Sequence, residues 1–317
     1  MTAKIKAHLG LLGTNLFFAS NYSAIKYFTG NHYAGPFGIN IIRIGVSVIL
    51  FWILFILSPE KNKIDKKDIP AFLLCAVTGL ALNQMLFIKG LAYTFSIHAS
   101  LLTLITPILI TIIAAMVLRE NITLLKIVGL ILAVTGAVVL IRSREITTTG
   151  ENIPLGDALV ICSAVAYTFY FIGVKPLMLK YSAIDVMRWV FTFGFFIILP
   201  LCVKEFKQIT WQVFTLKDYL LLFLIAVPGT FLAYIFNAYG IKILNASVAG
   251  AYIYLQPVFA VAIAMIFLKE QLLPQKIYAA LLIFAGVYLS NMKMNKRSTE
   301  KQNPADLGGK QNITTPT

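Results

Sequence analysis

Polar side chains recur one helical turn apart inside long apolar stretches of this sequence. Tyr252 and Gln256 are four residues apart, as are Tyr22 and Lys26, so each pair shares one face of a helix. A polar group within a bilayer usually faces a partner helix or a water-filled path. These faces predict binding of a small polar solute, with hydrogen bonds between helices as the alternative. The predicted solute-binding residues are Asn15, Asn21, Tyr22, Lys26, Arg43, Gln84, His98, Thr106, Tyr167, Tyr170, Tyr234, Asn237, Tyr252 and Gln256.

Charge inside the apolar stretches favours a solute that carries a negative group. Arg43 lies about seven residues into its stretch, whereas no Asp or Glu lies near the middle of any stretch. Asp157 and Asp185 stand close to the starts of stretches, where helix capping and solvation explain them, and Arg188 is expected to snorkel. We therefore expect a neutral to positive cavity that prefers carboxylates or phosphates, including zwitterions such as amino acids.

Three further residues could take part in a transport cycle. His98 is a candidate for proton coupling, because imidazole titrates near neutrality; a hydrogen-bonded structural histidine is the alternative. Pro107 and Pro257 lie within stretches, where each removes a backbone hydrogen bond and tends to kink its helix. The two prolines are interpreted as hinges or, alternatively, as static bends.

The sequence lacks the motifs of an enzyme, a metal site or an ATP-driven pump. It contains no His-Glu-x-x-His, no Gly-x-Ser-x-Gly, no Walker motif and no cofactor fingerprint. Cys75, Cys162 and Cys202 lack metal-ligand spacing and are interpreted as packing residues. We expect no catalysis, cofactor or metal, so any transport would draw on gradients, ions or exchange unless a separate subunit supplies the energy. A channel or a non-transporting receptor is the alternative class.

Composition places the chain in a lipid bilayer. Hydrophobic residues make up 59% of it, charged residues only 13%, and the mean hydropathy is +0.82. The net charge of +14 does not indicate nucleic-acid binding, because the basic residues lie mainly in short loops and in the tail. Their distribution, strongest at Lys61, Lys63, Lys66 and Lys67, predicts a multi-pass membrane protein with both termini in the cytoplasm.

Ten stretches are long and apolar enough to approach the roughly 20 residues that a membrane-spanning helix needs. Continuous apolar runs with scattered Gly and Pro favour helices over barrel strands, so the predicted fold is an all-α polytopic membrane protein. The stretches are approximately 8–28, 36–58, 69–91, 98–118, 123–141, 155–174, 185–203, 217–238, 246–268 and 273–292.

An internal duplication relates the two halves of the chain. Residues 68–141 align without a gap with residues 218–291, at an offset of 218 − 68 = 150 that pairs Gly79 with Gly229 and Pro107 with Pro257. Five spans per half would make the second repeat inverted relative to the first. The predicted units are a first five-helix repeat (1–141), a linker (142–153), a second five-helix repeat (154–292) and a disordered cytoplasmic tail (293–317).

Small residues form a seam on the fifth stretch, at Gly129, Ala133 and Gly136, and Ala279 with Gly286 partly repeats it on the tenth. Such seams allow close packing of helices in membranes. The seam predicts either a contact that holds the halves together or the interface of a homodimer.

The chain resembles the ten-span EamA-domain branch of the drug/metabolite transporter superfamily. Phe18-Ala-Ser-Asn-Tyr-Ser-Ala-Ile-Lys26 is similar to that family's Trp-Gly-Ser-Asn-Phe-x-x-x-Lys, and the spaced residues Gly90, Pro107 and Glu120 return as Gly240, Pro257 and Glu270. The resemblance implies a secondary transporter that moves a small metabolite by alternating access through a central cavity. Together with the lack of organelle-targeting features, it also implies a location in the inner membrane. Export of an amino acid or another carboxylate-bearing solute is the expected function, and efflux of cationic drugs is the alternative.

Overall fold

The computed structural model describes residues 2–58, 64–109, 113, 124–142, 152–244 and 252–291. Within these residues the chain forms ten long helices and no strand, and every predicted apolar stretch overlaps one of them. The helices are α1 (Ala3–Gly30), α2 (Pro36–Leu57), α3 (Lys66–Tyr93), α4 (Ser96–Leu109), α5 (Leu124–Arg142), α6 (Ile153–Lys180), α7 (Ala183–Lys207), α8 (segments Leu216–Ala226, Val227–Leu232 and Ala233–Leu244), α9 (Leu255–Leu268) and α10 (Pro274–Asn291).

Five of these helices, α2, α3, α6, α7 and α8, are long and apolar enough to cross a membrane. In the described part of the chain, α4, α9 and the apolar parts of α5 and α10 are shorter. The predictions for the linker 142–153, for Glu120 and for the tail 293–317 fall largely or wholly outside the described residues.

Side-chain caps fix the starts of three helices. The Asn152 side chain accepts a hydrogen bond from the backbone of Leu155 at the start of α6, and Ser182 begins α7 in the same way. A capping box between Thr215 and Asp218 starts α8. Each cap satisfies amide groups that have no partner within their own helix, which defines the helix start locally.

Two helices contain π-helical segments at equivalent positions of the duplicated sequence. Val77–Leu82 interrupts α3 and Val227–Leu232 interrupts α8, and both bounds differ by 150. Each segment carries a glycine against which a side chain from another helix packs. The Tyr170 ring lies on Gly79, and Asn21 lies on Gly229, donating from Nδ2 to its carbonyl over 2.6 Å. The wider π turns thus occur where helices of different repeats meet.

A second pair of irregularities adjoins the two prolines. Thr103–Ile105 forms a 3₁₀ turn within α4, and a turn at Ile253 and Tyr254 precedes α9. Pro107 and Pro257 follow these breaks. Each proline therefore lies close to the start of a new helical segment, where the missing amide hydrogen is tolerated.

Helices of the first half pair with helices of the second half. Along α1, Leu11, Thr14 and Asn21 contact positions of decreasing number in α8, so the two helices run antiparallel. The pairs α3 with α6 and α2 with α7 behave in the same way. These pairs place the core at the junction of the two halves.

The small-residue seam joins α5 to α10 within the chain. A Cβ atom at Gly136 would overlap backbone and side-chain atoms of Ala279 and Ile283, and one at Gly286 would overlap Gly129 and Ala133. The contact repeats itself at equivalent positions of the two helices. The seam therefore serves the first of its two predicted roles, contact between the halves.

The charged groups near helix starts differ from their predicted environments. Asp157 is fully buried rather than solvated, and it pairs with His98. Arg188 does not extend outward; its side chain is 3% exposed and its Nη2 donates to Asp185 over 3.1 Å. Its guanidinium also lies 3.4 Å from the ring centre of Phe55. Tertiary packing can bury these groups because each has a side-chain partner in place of water: His98 for Asp157, and Asp185 for Arg188.

Candidate solute cavity

A cavity of about 150 Å³ lies where the two halves meet. Helices α1, α2, α3, α4, α6 and α8 line it, together with α9 and the turn that precedes α9. An apolar cavity of about this volume can hold one molecule the size of benzene, which sets the scale for this space. The lining residues are Thr14, Asn15, Phe18, Asn21, Tyr22, Arg43, Asn83, Gln84, Phe87, Thr103, Thr106, Ser163, Ala164, Tyr167, Tyr234, Asn237, Ile253 and Gln256.

Most of the side chains predicted from polar helix faces lie together on this cavity. They come from seven helices that are distant in sequence. Those that line it are Asn15, Asn21, Tyr22, Arg43, Gln84, Thr106, Tyr167, Tyr234, Asn237 and Gln256.

Arg43 is the only charged residue among the described residues that line the cavity. Its side chain is 4% exposed, and its Nε donates to the Thr230 hydroxyl over 3.0 Å. Thr230, in the π-helical part of α8, in turn donates to the carbonyl of Ile225 in the segment before it. This chain of bonds orients the guanidinium, while no Asp or Glu of the described residues forms a salt bridge with it. A buried guanidinium without a carboxylate partner is a strong attractant for an anionic group.

A chain of hydroxyl and amide groups crosses one wall of the cavity. Gln256 donates from Nε2 to the Tyr22 hydroxyl over 2.8 Å, and that hydroxyl lies 3.2 Å from the hydroxyl of Thr103. The three residues come from α9, α1 and α4. The wall therefore links the 3₁₀ turn of α4 with the start of α9 through a residue of α1.

Amide groups form another wall. Gln84 donates from Nε2 to the Tyr234 hydroxyl over 3.0 Å, and Asn83 donates from Nδ2 to the carbonyl of Ser163 over 2.9 Å. The Oδ1 atom of Asn21 is buried and has no hydrogen-bond partner among the residues that the structure describes. Amide oxygens accept hydrogen bonds, so this wall can receive a donor such as an ammonium group.

Four of the predicted residues lie outside the cavity lining. Lys26 donates to the carbonyl of Ala92 over 3.0 Å at the end of α3. The hydroxyl of Tyr170 points to the sulfur of Met187, and that of Tyr252 lies 2.8 Å from His8. His98 is fully buried beside Asp157. The one-turn spacing placed these residues on polar faces but could not tell which neighbour each face meets.

Sequence reasoning missed eight lining residues. Thr14 and Asn83 adjoin predicted residues, and their polar side chains within apolar stretches were a usable signal. The others are apolar or small hydroxyl residues that resemble ordinary helix-packing positions. The missed residues are Thr14, Phe18, Asn83, Phe87, Thr103, Ser163, Ala164 and Ile253.

Metal binding finds no support in the described part of the chain, where no three His, Cys, Asp or Glu side chains come together as a set that could hold an ion. The cavity lining offers a guanidinium, amides and hydroxyls instead. This set suits hydrogen bonding and charge recognition of an organic solute.

Comparison with known proteins finds that the chain is similar to transporters. The model of the EamA-like transporter family matches residues 5–142 and again 154–292. The chain is 27% identical to the uncharacterized transporter YetK of Bacillus subtilis, covering 78% of this chain and 75% of that protein. It is also 27% identical to a probable terminal-alkyne amino-acid exporter of Streptantibioticus cattleyicolor, covering 94% and 98%.

A solved crystal structure shares the fold. It superposes with a TM-score of 0.60 at 14% identity, covering 89% of this chain and 95% of the other. At that identity the likeness concerns the fold alone.

Proposed function

The chain belongs to the EamA-like transporter family, and from this premise we propose that it exports a small amino acid or a related carboxylate-bearing solute across the inner membrane by alternating access. The transporter class follows from the family. The substrate, the direction and the mechanism are the proposal.

The observation that favours a carboxylate-bearing substrate is the position of Arg43. It places a buried positive charge on the cavity with its Nε held by Thr230. A lone charge inside a membrane protein is costly and usually has a partner or a task. A substrate carboxylate would supply the missing partner by accepting hydrogen bonds from the remaining N–H groups of the guanidinium. A purely cationic solute would meet repulsion at the same place.

The amide wall supports a zwitterion rather than a simple anion. Asn21 offers an unpaired buried oxygen, and the side-chain oxygens of Gln84 and Gln256 are further acceptors, since both amide nitrogens already donate. An α-ammonium group would be received there while the carboxylate meets Arg43. The similarity to a probable terminal-alkyne amino-acid exporter agrees with this assignment.

For the architecture, we propose ten membrane spans arranged as two inverted five-helix repeats, residues 1–141 and 154–292, joined by the linker 142–153. The π-helical segments, the breaks before the prolines and the seam of α5 with α10 all occur at positions related by the 150-residue offset. An odd number of spans per repeat inverts the second one. The excess of basic residues supports a topology with both termini in the cytoplasm.

Counterflow into proteoliposomes tests the substrate class. Vesicles holding the purified protein and unlabelled L-propargylglycine, a terminal-alkyne amino acid, are diluted into labelled L-propargylglycine, with L-norvaline, succinate and tetraphenylphosphonium as competitors. We expect saturable uptake that L-norvaline inhibits and tetraphenylphosphonium does not. Inhibition by the cation alone would contradict the proposal, and unsaturable flux would indicate a channel.

A further inference from the structure

The arginines of the paired helices α2 and α7 occupy equivalent positions in the two halves. An offset of 188 − 43 = 145 aligns Asn40 with Asp185, Arg43 with Arg188 and Ser47 with Thr192. The structure repeats one hydrogen bond at the aligned positions. Ser47 donates from Oγ to the carbonyl of Arg43 over 2.7 Å. Thr192 donates from Oγ1 to the carbonyl of Arg188, also over 2.7 Å. The two arginines are therefore counterparts.

This offset differs from 150 because the second half is longer after its arginine. The separation from Arg188 to Gly229 is 229 − 188 = 41 residues, whereas that from Arg43 to Gly79 is 79 − 43 = 36 residues. Extra residues between two aligned segments change the offset but leave the pairing within each segment intact.

The two counterparts have different charge partners. Arg188 donates from Nη2 to Asp185, three residues earlier on the same helix face, over 3.1 Å. The residue in this relation to Arg43 is Asn40, which carries no charge. Asn40 is fully buried, and within the described part of the chain its Nδ2 and Oδ1 atoms have no hydrogen-bond partner. Arg188 is thus neutralised from within its own helix, and Arg43 is not.

The surroundings of the two guanidinium groups differ in the same sense. Arg188 lies outside the cavity lining, with its guanidinium carbon 4.8 Å from the ring centre of Trp52. Arg43 lines the cavity and is oriented by Thr230. The offset of 150 places Leu80 at the position equivalent to Thr230, so the orienting hydroxyl has no counterpart in the first half. The duplication therefore holds one arginine turned to the solute cavity and one paired away from it.

We propose that Asn40 keeps Arg43 available to the solute and so sets the preference of this transporter for a carboxylate. Aspartate and asparagine are nearly equal in size and shape, so the site could hold a carboxylate as position 185 does. That carboxylate would accept hydrogen bonds from the guanidinium and cancel the charge that attracts the solute. An amide leaves the charge in place. Asn40 is a positioning residue, because it lies outside the cavity lining and acts through Arg43.

Exchanging the two charge partners should affect stability and binding in opposite ways. Asn40→Asp gives buried Arg43 a partner, so the unfolding midpoint of the detergent-purified protein should rise by roughly 2 °C or more. Its counterflow KM for L-propargylglycine should rise about tenfold or more, because the solute loses charged hydrogen bonds. Asp185→Asn leaves Arg188 buried without its partner, so the midpoint should fall while KM stays within about twofold.

Two further variants separate charge from shape. Asn40→Leu removes an amide that has no partner among the described residues, so it should raise KM by no more than about threefold. A tenfold rise in this variant would assign recognition to the amide itself and overturn the proposal. Asn31→Asp adds the same carboxylate at the exposed end of α1, and it should keep the KM and the midpoint of the wild type.

Analogues that lack one charged group show which part of the solute Asn40 governs. Pent-4-ynoate is L-propargylglycine without its ammonium group, and but-3-yn-1-amine is the same molecule without its carboxylate. We expect pent-4-ynoate to inhibit wild-type counterflow and to be at least about tenfold less potent against Asn40→Asp. The amine should lose no potency against that variant. Equal losses for both analogues would overturn a role in charge selection.

An Asn40→Asp protein with wild-type KM overturns the proposal. A protein that is less stable than the wild type, or that does not fold, also overturns it, because the new carboxylate would then not pair with Arg43. The inference rests on the proposed function, so a wild type without counterflow refutes the export proposal instead. Asn40 is then judged by thermal shift with pent-4-ynoate. Stabilisation of the wild type and Asn40→Leu but not of Asn40→Asp supports its role, and any other pattern overturns it.

Discussion

Gln84 donates a hydrogen bond from Nε2 to the hydroxyl of Tyr234 over 3.0 Å, and the two positions differ by 234 − 84 = 150, the offset that aligns the two halves. Two points related by a two-fold axis are separated by twice their distance from it, so equivalent residues can touch only close to that axis. The proposed axis therefore passes beside the solute cavity, which both residues line.

Coupling between Gln84 and Tyr234 is expected in a double-mutant cycle. Gln84→Met and Tyr234→Phe should each destabilise the detergent-purified protein, and the pair should deviate from additivity by about 0.5–1.5 kcal/mol because one hydrogen bond is lost only once. Thermal or denaturant unfolding provides the measurement. Tyr234→Phe combined with Thr210→Ala, in the α7–α8 connection, should be additive. Strict additivity of the first pair would contradict the contact.

Replacing Arg43 should weaken substrate binding. Hydrogen bonds to charged groups contribute about 1.5–3 kcal/mol, so Arg43→Gln is expected to raise the counterflow KM for L-propargylglycine roughly 10- to 100-fold. Arg43→Lys keeps the charge and should lose less. Lys89→Gln removes a positive charge that lies over Phe37 and Tyr93 outside the lining, and should leave KM nearly unchanged. An Arg43→Gln protein with wild-type KM would exclude Arg43 from recognition.

The α5–α10 seam predicts a contrast between two glycines. A methyl group at Gly286 would overlap the Gly129 carbonyl and the backbone of Ala133, so Gly286→Ala should destabilise the protein by about 1–3 kcal/mol. Gly173→Ala meets only the Cys75 sulfur at ordinary contact distance, and higher helix propensity should make it neutral or stabilising by up to about 1 kcal/mol. Unfolding midpoints report both. Equal effects at the two sites would argue against close packing in the seam.

The hinge interpretation of the prolines predicts slower turnover without weaker binding. Pro107→Ala and Pro257→Ala restore a backbone donor next to the breaks in α4 and before α9, which favours straighter helices. We expect the counterflow rate to fall severalfold while substrate-induced thermal stabilisation persists. Pro200→Ala, inside α7, is the control. Rates equal to the wild type in both variants would identify the prolines as static bends.

The proposed orientation is tested by cysteine labelling. The α1–α2 connection lies beside the α7–α8 connection, where the Thr210 amide donates to the Tyr33 carbonyl, while Asp65 pairs with Lys180 at the end of α6. In a background without the three native cysteines, Asn31→Cys should react with an impermeant maleimide in intact cells. Asp65→Cys should react only after lysis. The reverse pattern would invert the assigned topology.

Sequence reasoning located much of the cavity because its polar residues stand out against an apolar background. Arg43 and Gln256 were recognisable for that reason. Tyr252 and Tyr170 were not separable from them, since a helical repeat identifies a shared face without identifying the neighbour that this face meets. Ala164 and Ile253 gave no signal, because apolar lining positions look like any other packing position.

The sequence by itself determined the membrane class, the helical fold and the equivalence of the two halves, because hydropathy and an ungapped duplication are properties of the chain alone. Only the tertiary structure decided that Asp157 is buried against His98 rather than solvated, and that Gln84 meets Tyr234. Both contacts join a helix of the first half to a helix of the second half. Burial and pairing depend on which surfaces meet in space, and local spacing along one helix carries no information about that.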